Sequence, residues 1–231
     1  MRIAKFIANA GFCSRRDAEK LIFEKKVRIN NKLCEAPYIQ VTEKDKIVIN
    51  HKVIKLGKKI SLWKLYKPIK VICSTKDPKK RKTIFDIIPK DYPRLISVGR
   101  LDYMSEGLML LTNNGDFARK LELPSSNILR VYRVCVNGDV KSNQIKKINS
   151  GIRIEDILYK KVKVNIEKIK KPQVWLKFKL KEGKNREIRK ICNHFKWPIN
   201  KLIRLQYGSI KLIKEKPGQI KRIEPIPKDL L

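Results

Sequence analysis

Apolar positions recur along this chain with two different periods, and the change of period divides it. Ile3, Phe6, Ile7 and Ala10 fall on one face of a helix that Gly11 can end. Ser14 followed by Asp17 predicts an N-cap with an acid in the first turn, and Ala18, Leu21 and Ile22 give a second helix its apolar stripe. The pattern then alternates from Val27 to Leu33, turning at Asn30-Asn31, and alternates again from Lys46 to Asn50. Residues 1–50 therefore predict a compact α/β module. Residues 51–60, with four lysines and one glycine, read as a linker.

From Ser61 onward, strand-like runs dominate: residues 62–66, 71–74, 95–99, 108–112, 131–137, 162–166 and 174–180. Helices are expected only over residues 116–121, 142–149 and 186–195. Strands outnumber helices without a βαβ alternation, so residues 61–231 predict a mixed, mainly antiparallel α+β domain. The proline-punctuated ending from Lys216 predicts an edge strand followed by a loose tail.

Composition narrows the possible partners. The 231 residues carry 56 Lys+Arg against 22 Asp+Glu, a net charge of +34, with an ordinary 42% hydrophobic content. Such a surplus of cations nominates a polyanion, nucleic acid first. The richness in Lys, Ile and Asn offers compositional bias as a second source of the charge. The surplus is spread evenly, fifteen basic and six acidic residues lying within 1–60, so charge does not locate a site. No run approaches the ~18 apolar residues of a membrane span, and Lys5, Arg15 and Arg16 interrupt any leader-like stretch. A cytoplasmic protein without a membrane partner is expected. The five cysteines are scattered, without a CxxC pair, and there are only two histidines. Reduced thiols, no metal and no cofactor follow.

Three constellations can carry chemistry. An apolar strand runs into Gly99, where Arg100 and Asp102 flank Leu101 and Gly107 opens the next apolar run. A carboxylate beside an arginine at a strand end is suited to act ionised, as nucleophile or base, although a loop ion pair has the same appearance. The second is Gly183 followed by Lys184, Arg186, Arg189 and Lys190 at a helix start. Positive charge there opposes the helix dipole and calls for an anion, either a phosphate or Asp102 itself. The third is the alternating strand 130–136, where Tyr132 is either half-buried core or, if it shares a cavity with Asp102, a stacking surface for a base.

Residues 99–102, Gly-Arg-Leu-Asp, with their Ser-Glu-Gly-Leu-Met-Leu-Leu-Thr-Asn continuation, resemble the signature of bacterial ribosomal-RNA pseudouridine synthases. The segment from Gly183 to Arg189 resembles the third motif of the same enzymes. Residues 1–50 resemble the small RNA-binding domain shared with a small-subunit ribosomal protein. The pairing is that of the RsuA/RluB group. This resemblance implies that Asp102 is the catalytic carboxylate, Arg189 its basic partner and Tyr132 the active-site tyrosine. Arg100 matches the arginine that enters the space left by a flipped base, and Arg15, Arg16, Lys184 and Arg186 are expected on the RNA. The implied reaction needs no metal, redox cofactor or small molecule, and a monomer is expected. Lys26 and Asn31 stand where the group often has glycine, and Asn114 where it often has aspartate. Residues 75–86 and 202–210 look closest to the RluB-like branch, which acts on large-subunit rRNA; the small-subunit branch and a non-catalytic ribosome-assembly factor are the alternatives.

Overall fold

The computed structural model describes residues 1–231 apart from Lys58, Lys76 and Lys161. The N-terminal module comprises helices α1 (Ile3–Asn9) and α2 (Arg15–Phe23) and strands β1 (Val27–Ile29), β2 (Lys32–Leu33), β3 (Ile47–Ile49) and β4 (Lys52–Ile54). Its antiparallel sheet has the order β2-β1-β3-β4. The helical stripe Ile3, Phe6, Ile7, Ala18 and Ile22 packs on Val27, Ile47 and Ile49, all essentially inaccessible to solvent. Burial of each of the larger side chains contributes about 1.5–3 kcal/mol. The Ser14 hydroxyl accepts the Asp17 N–H at 3.1 Å, the cap that the spacing predicts.

The linker expectation needs correction at its start. Asn50 (φ 46°) and His51 (φ 65°) form a tight turn like that of Asn30 (φ 48°) and Asn31 (φ 70°), and the chain folds back as β4. Asparagine tolerates the left-handed conformation both turns require. Ile54 then joins the module core. The rest of the expected linker includes Lys58, which lies outside the described residues. Before β1 the left-handed residue is Lys25 (φ 58°), not Lys26.

The second unit is built on β5 (Leu62–Lys67), β6 (Ile96–Val98), β7 (Glu106–Thr112), α3 (Gly115–Glu122), β8 (Arg130–Asn137), α4 (Ser142–Ser150), β9 (Ile152–Ile154), β10 (Ile157–Tyr159), β11 (Val162–Lys170), β12 (Gln173–Leu180), α5 (Glu187–His194), β13 (Ile199–Tyr207), β14 (Ile210–Lys211) and β15 (Ile220–Ile223). One sheet runs β11-β12-β8-β13-β7-β5-β15, with β6 on β7 and β14 on β13. All its pairings are antiparallel except β13 with β7. α4 and α5 cover one end through Ile148, Ile188, Ile191 and Cys192, against Val134, Leu176 and Phe178. α3 packs Phe117, Ala118 and Leu121 against Val98 and Leu110, and Asn114 caps it by accepting the Phe117 N–H at 2.8 Å.

Three expectations differ here. Residues 71–74 form no strand, only an isolated bridge from Ile72 to Thr83. β13 sits at the centre of the sheet although no strand is expected there, because Lys201, Arg204 and Gln206 break its apolar pattern. The tail is not loose: Lys228–Leu230 forms a 3-10 turn, Leu230 is buried, and the Asp229 carboxylate accepts from the Ser209 N–H at 2.9 Å and hydroxyl at 2.7 Å.

Gly107 makes the parallel pairing possible. Its φ is 104°, and a Cβ there would sit 2.4 Å from the Arg204 carbonyl oxygen and 2.7 Å from its nitrogen. Only glycine permits this approach of β7 to β13. The two units touch through Asp116, whose carboxylate lies 2.8 Å from Lys5 Nζ and 3.6 Å from Arg15 Nη2.

Candidate active site

A cavity of about 960 Å³ opens where the loop between β6 and β7 faces the start of α5. Gly99, in the left-handed conformation (φ 68°), turns the chain out of β6, and its N–H donates to Glu122 at 2.7 Å. The next residues, Arg100, Leu101 and Asp102, line the cavity. Leu101 is pinned beneath them: its N–H and C=O each meet the Cys73 thiol at 3.4 Å. The apolar residue anchors the loop while its polar neighbours face the opening.

Asp102 is met from across the cavity. Arg189, on the first turns of α5, donates through Nε to Asp102 Oδ2 at 3.1 Å, and through Nη2 to the Met104 carbonyl and the Ser105 hydroxyl, both at 2.9 Å. The three bonds fix the guanidinium fork, which an ammonium could not satisfy in this geometry. Arg186 stands 3.6 Å from the same Asp102 oxygen and is more exposed. The anion that the basic helix start requires is thus Asp102, with Glu187 added beneath it. The Glu187 carboxylate accepts the Lys184 N–H at 3.1 Å, and burial raises its pKa above the usual range.

Tyr132 lines the same cavity from β8, between Phe178 of β12 and Arg204 of β13 in the sheet register. Asp102, Tyr132, Arg189, Arg100, Lys184 and Arg186 therefore all border one space. Lys184 is held inward: its ammonium donates to the Leu158 carbonyl at 2.8 Å, pairs with Glu182 at 2.9 Å and lies over the Tyr159 ring. Arg15 and Arg16 are exposed on α2 and do not line the cavity.

Several residues at the site are absent from the sequence-based expectation. Lys67, at the end of β5, is fully buried and donates to the Ser105 carbonyl at 2.7 Å and the Pro68 carbonyl at 2.9 Å. Burial pushes its ammonium down to about 8, against the pull of Cys73, Asp102 and Glu106. It supports the backbone of the residue whose hydroxyl receives Arg189. Period two puts Lys67 on the face of Trp63 and Leu65, which is the signal that could have marked it. Arg204, also buried, donates to the Leu108 carbonyl at 2.6 Å and borders the cavity. At the opposite rim Arg81 pairs with Asp77 at 2.8 Å, holding that carboxyl down at about 2, and lies over the Tyr103 ring.

Among the described residues no cluster of three or more His, Cys, Asp or Glu converges as a metal site, and no helix is long and apolar enough to cross a membrane. The five cysteines are free thiols.

A carboxylate held by an arginine, in a cavity bordered by further arginines and a lysine, has the charge character that suits an anionic polymer. Comparison with known proteins gives the class. Residues 61–194 match the RNA pseudouridylate synthase family, and residues 1–47 match the S4 domain. The chain belongs to the RNA pseudouridylate synthase family, in its S4-bearing RsuA/RluB group. An RNA pseudouridine synthase of Rickettsia felis is 45% identical, with 96% of each chain covered. The ribosomal large subunit pseudouridine synthase B of Bacillus subtilis is 34% identical over 97% of this chain and 92% of its own. In a crystal structure of a pseudouridylate synthase, 24% identical, the same fold spans 96% of both chains with a TM-score of 0.66.

Proposed function

We propose that this enzyme isomerises a specific uridine of large-subunit ribosomal RNA, with Asp102 as its catalytic carboxylate. The observation that carries the reading is the Asp102–Arg189 pair at 3.1 Å in a cavity that also holds Tyr132 and Arg100. Identity to the large-subunit synthase B of Bacillus subtilis supports the choice of RNA.

Uridine carries its base through an N1–C1′ bond. Conversion to pseudouridine breaks that bond, turns the uracil and joins C5 to C1′; the C5 hydrogen leaves and N1 gains a proton. The isomerisation balances without a redox partner and consumes no water, so one carboxylate suffices where glycoside hydrolysis uses two. Two routes start from it: Asp102 bonds to C1′, or it takes the C2′ proton. Both need the carboxylate aimed, which the Arg189 hydrogen bond provides. Tyr132 offers a ring face on which the detached uracil can turn. Extruding a stacked uridine costs a few kcal/mol, which Arg100 at the mouth offsets by occupying the vacated stack. The enzyme acts as a cytoplasmic monomer, with the named residues bordering one cavity of a single chain, and the S4 module adds a second hold on the RNA through Arg16.

The test uses large- and small-subunit rRNA transcripts carrying tritium at uridine C5. Release from the large-subunit transcript alone is expected. Release from the small-subunit transcript alone would contradict the target, and tight binding of both with no release would favour the assembly-factor reading.

A further inference from the structure

α5 has two basic sides, and only one belongs to the cavity that holds Asp102. On its outer side lies a second cavity of about 580 Å³, bordered by Arg186, Arg189, Lys190, Asn193, Lys196 and residues 197–199. Arg186 and Arg189 border both spaces, so the two cavities meet at these arginines.

The charge balance of the two differs. The first cavity sets Asp77, Asp102, Glu122 and Glu187 among its cations. The second has four cations and no carboxylate in its lining. Asp102 answers Arg186 and Arg189 from the first cavity. Among the described residues the acid paired with Lys190 is Glu155, at 3.1 Å, and it is largely exposed. Lys196, exposed in the left-handed turn that follows α5, forms no ion pair among the described residues. Like charges lining a recess repel unless an anion enters it. One border of the recess is of another kind: Pro198 and Ile199 present apolar surface beside the lysines.

We infer that this second cavity is a subsite for one RNA nucleotide next to the target uridine, its phosphate between Lys190 and Lys196 and its base against Pro198 and Ile199. The inference rests on the proposed RNA isomerisation, since a strand whose uridine enters the first cavity passes over Arg186 and Arg189 into the second. A volume of about 580 Å³ lies within the range of small-ligand sites. Mixed cationic and apolar lining suits a nucleotide better than a bare inorganic anion. The subsite would select how the strand leaves the catalytic cavity, and thereby which uridine is presented.

The test is the full-length double variant Lys190→Gln/Lys196→Gln against wild type. Turnover is read as tritium release from the large-subunit transcript, and binding of that transcript is followed between about 50 and 200 mM salt. The expected result is a KM raised about tenfold, kcat within about twofold, and a salt slope flatter by about one. Lys190→Arg/Lys196→Arg should restore the KM and the salt slope, because charge rather than shape is at stake. Lys196 is exposed, and half-buried Lys190 pairs with a largely exposed acid, so the midpoint of thermal unfolding should move little. An unchanged KM and salt slope with turnover intact would overturn the subsite. So would a fall in kcat at unchanged KM, which would mean that the lysines act only by setting Arg189. Absence of turnover in wild type would instead overturn the isomerase reading, and the salt slope would still decide whether the recess holds a phosphate.

Discussion

The two units of this chain hold their functional residues in opposite ways. In the module, β1 with β2 and β3 with β4 form hairpins, and β1 pairing with β3, Val27 opposite Ile49, joins the two into one sheet. Its cations, Arg15 and Arg16, stand on the exposed face of a helix, and the larger departure from solvation is the contact of Arg15 with Asp116. In the second unit, Asp102 and Arg189 are 87 residues apart and meet only because β13 lies parallel to β7 while α5 leads into β13. The module can bind with independent, screened charges, whereas the catalytic unit needs two groups at a fixed separation. Precision there depends on long-range packing.

That contrast can be broken first at the arginine. Arg189→Ala should lower kcat by about 10²–10³-fold, the usual loss when a fixed donor at a reacting charge is removed. Single-turnover rates at saturating RNA check this. The corresponding Arg16→Ala should act on RNA affinity instead, flattening the salt slope by about one.

Gly107→Ala attacks the packing beneath the pair. A Cβ 2.4 Å from the backbone of Arg204, at a φ of 104°, must push β7 from β13. A loss of about 3 kcal/mol in urea unfolding is expected. Retained stability would mean that the parallel pairing does not carry the site.

Lys67 tests the same floor through pH. Its folded value of about 8 lies below the ordinary 10.5, so the unfolded chain holds the proton more tightly between those limits. Stability should therefore rise with pH through that window, and the burial cost is complete only below it. Relative to Lys67→Met, wild type should gain about 1 kcal/mol in unfolding free energy from about pH 7 to about pH 9. An equal pH dependence in both proteins would remove the buried cation from the account. At the small end, Ser14→Ala deletes the cap of α2 and should cost about 1 kcal/mol, confined to the module. Hydrogen exchange should quicken in residues 15–23 and not at Asp102.

What was legible in the sequence follows the same division. Both module helices, the Ser14 cap and the Asn30-Asn31 turn rest on contacts within a few residues, and periodicity reveals them. β4 does not show in the sequence because its lysine hides an apolar Ile54 and the turn before it ends in a histidine. In the second unit most strands are visible, but β13 is not, since a buried Arg204 interrupts its pattern. The short hairpin β9–β10 does not show either, its Ile152, Ile154 and Tyr159 being too brief a run for alternation. Asp102, Tyr132 and Arg189 stand out by residue type and by family resemblance. Lys67, Ser105 and Cys73 do not, because their roles consist of contacts that only the folded chain creates. Lys184 shows the reverse: a cation expected on the RNA is drawn inward by Leu158, Glu182 and the Tyr159 ring.

The central claim is that the Asp102 carboxylate performs the chemistry, Arg189 positions it and the other surrounding cations bind the RNA. Asp102→Asn keeps the shape and removes the charge. Full-length wild type and variant should bind the C5-tritiated large-subunit transcript with affinities within a few-fold, and only wild type should release tritium. Release by the variant at a comparable rate would contradict the account.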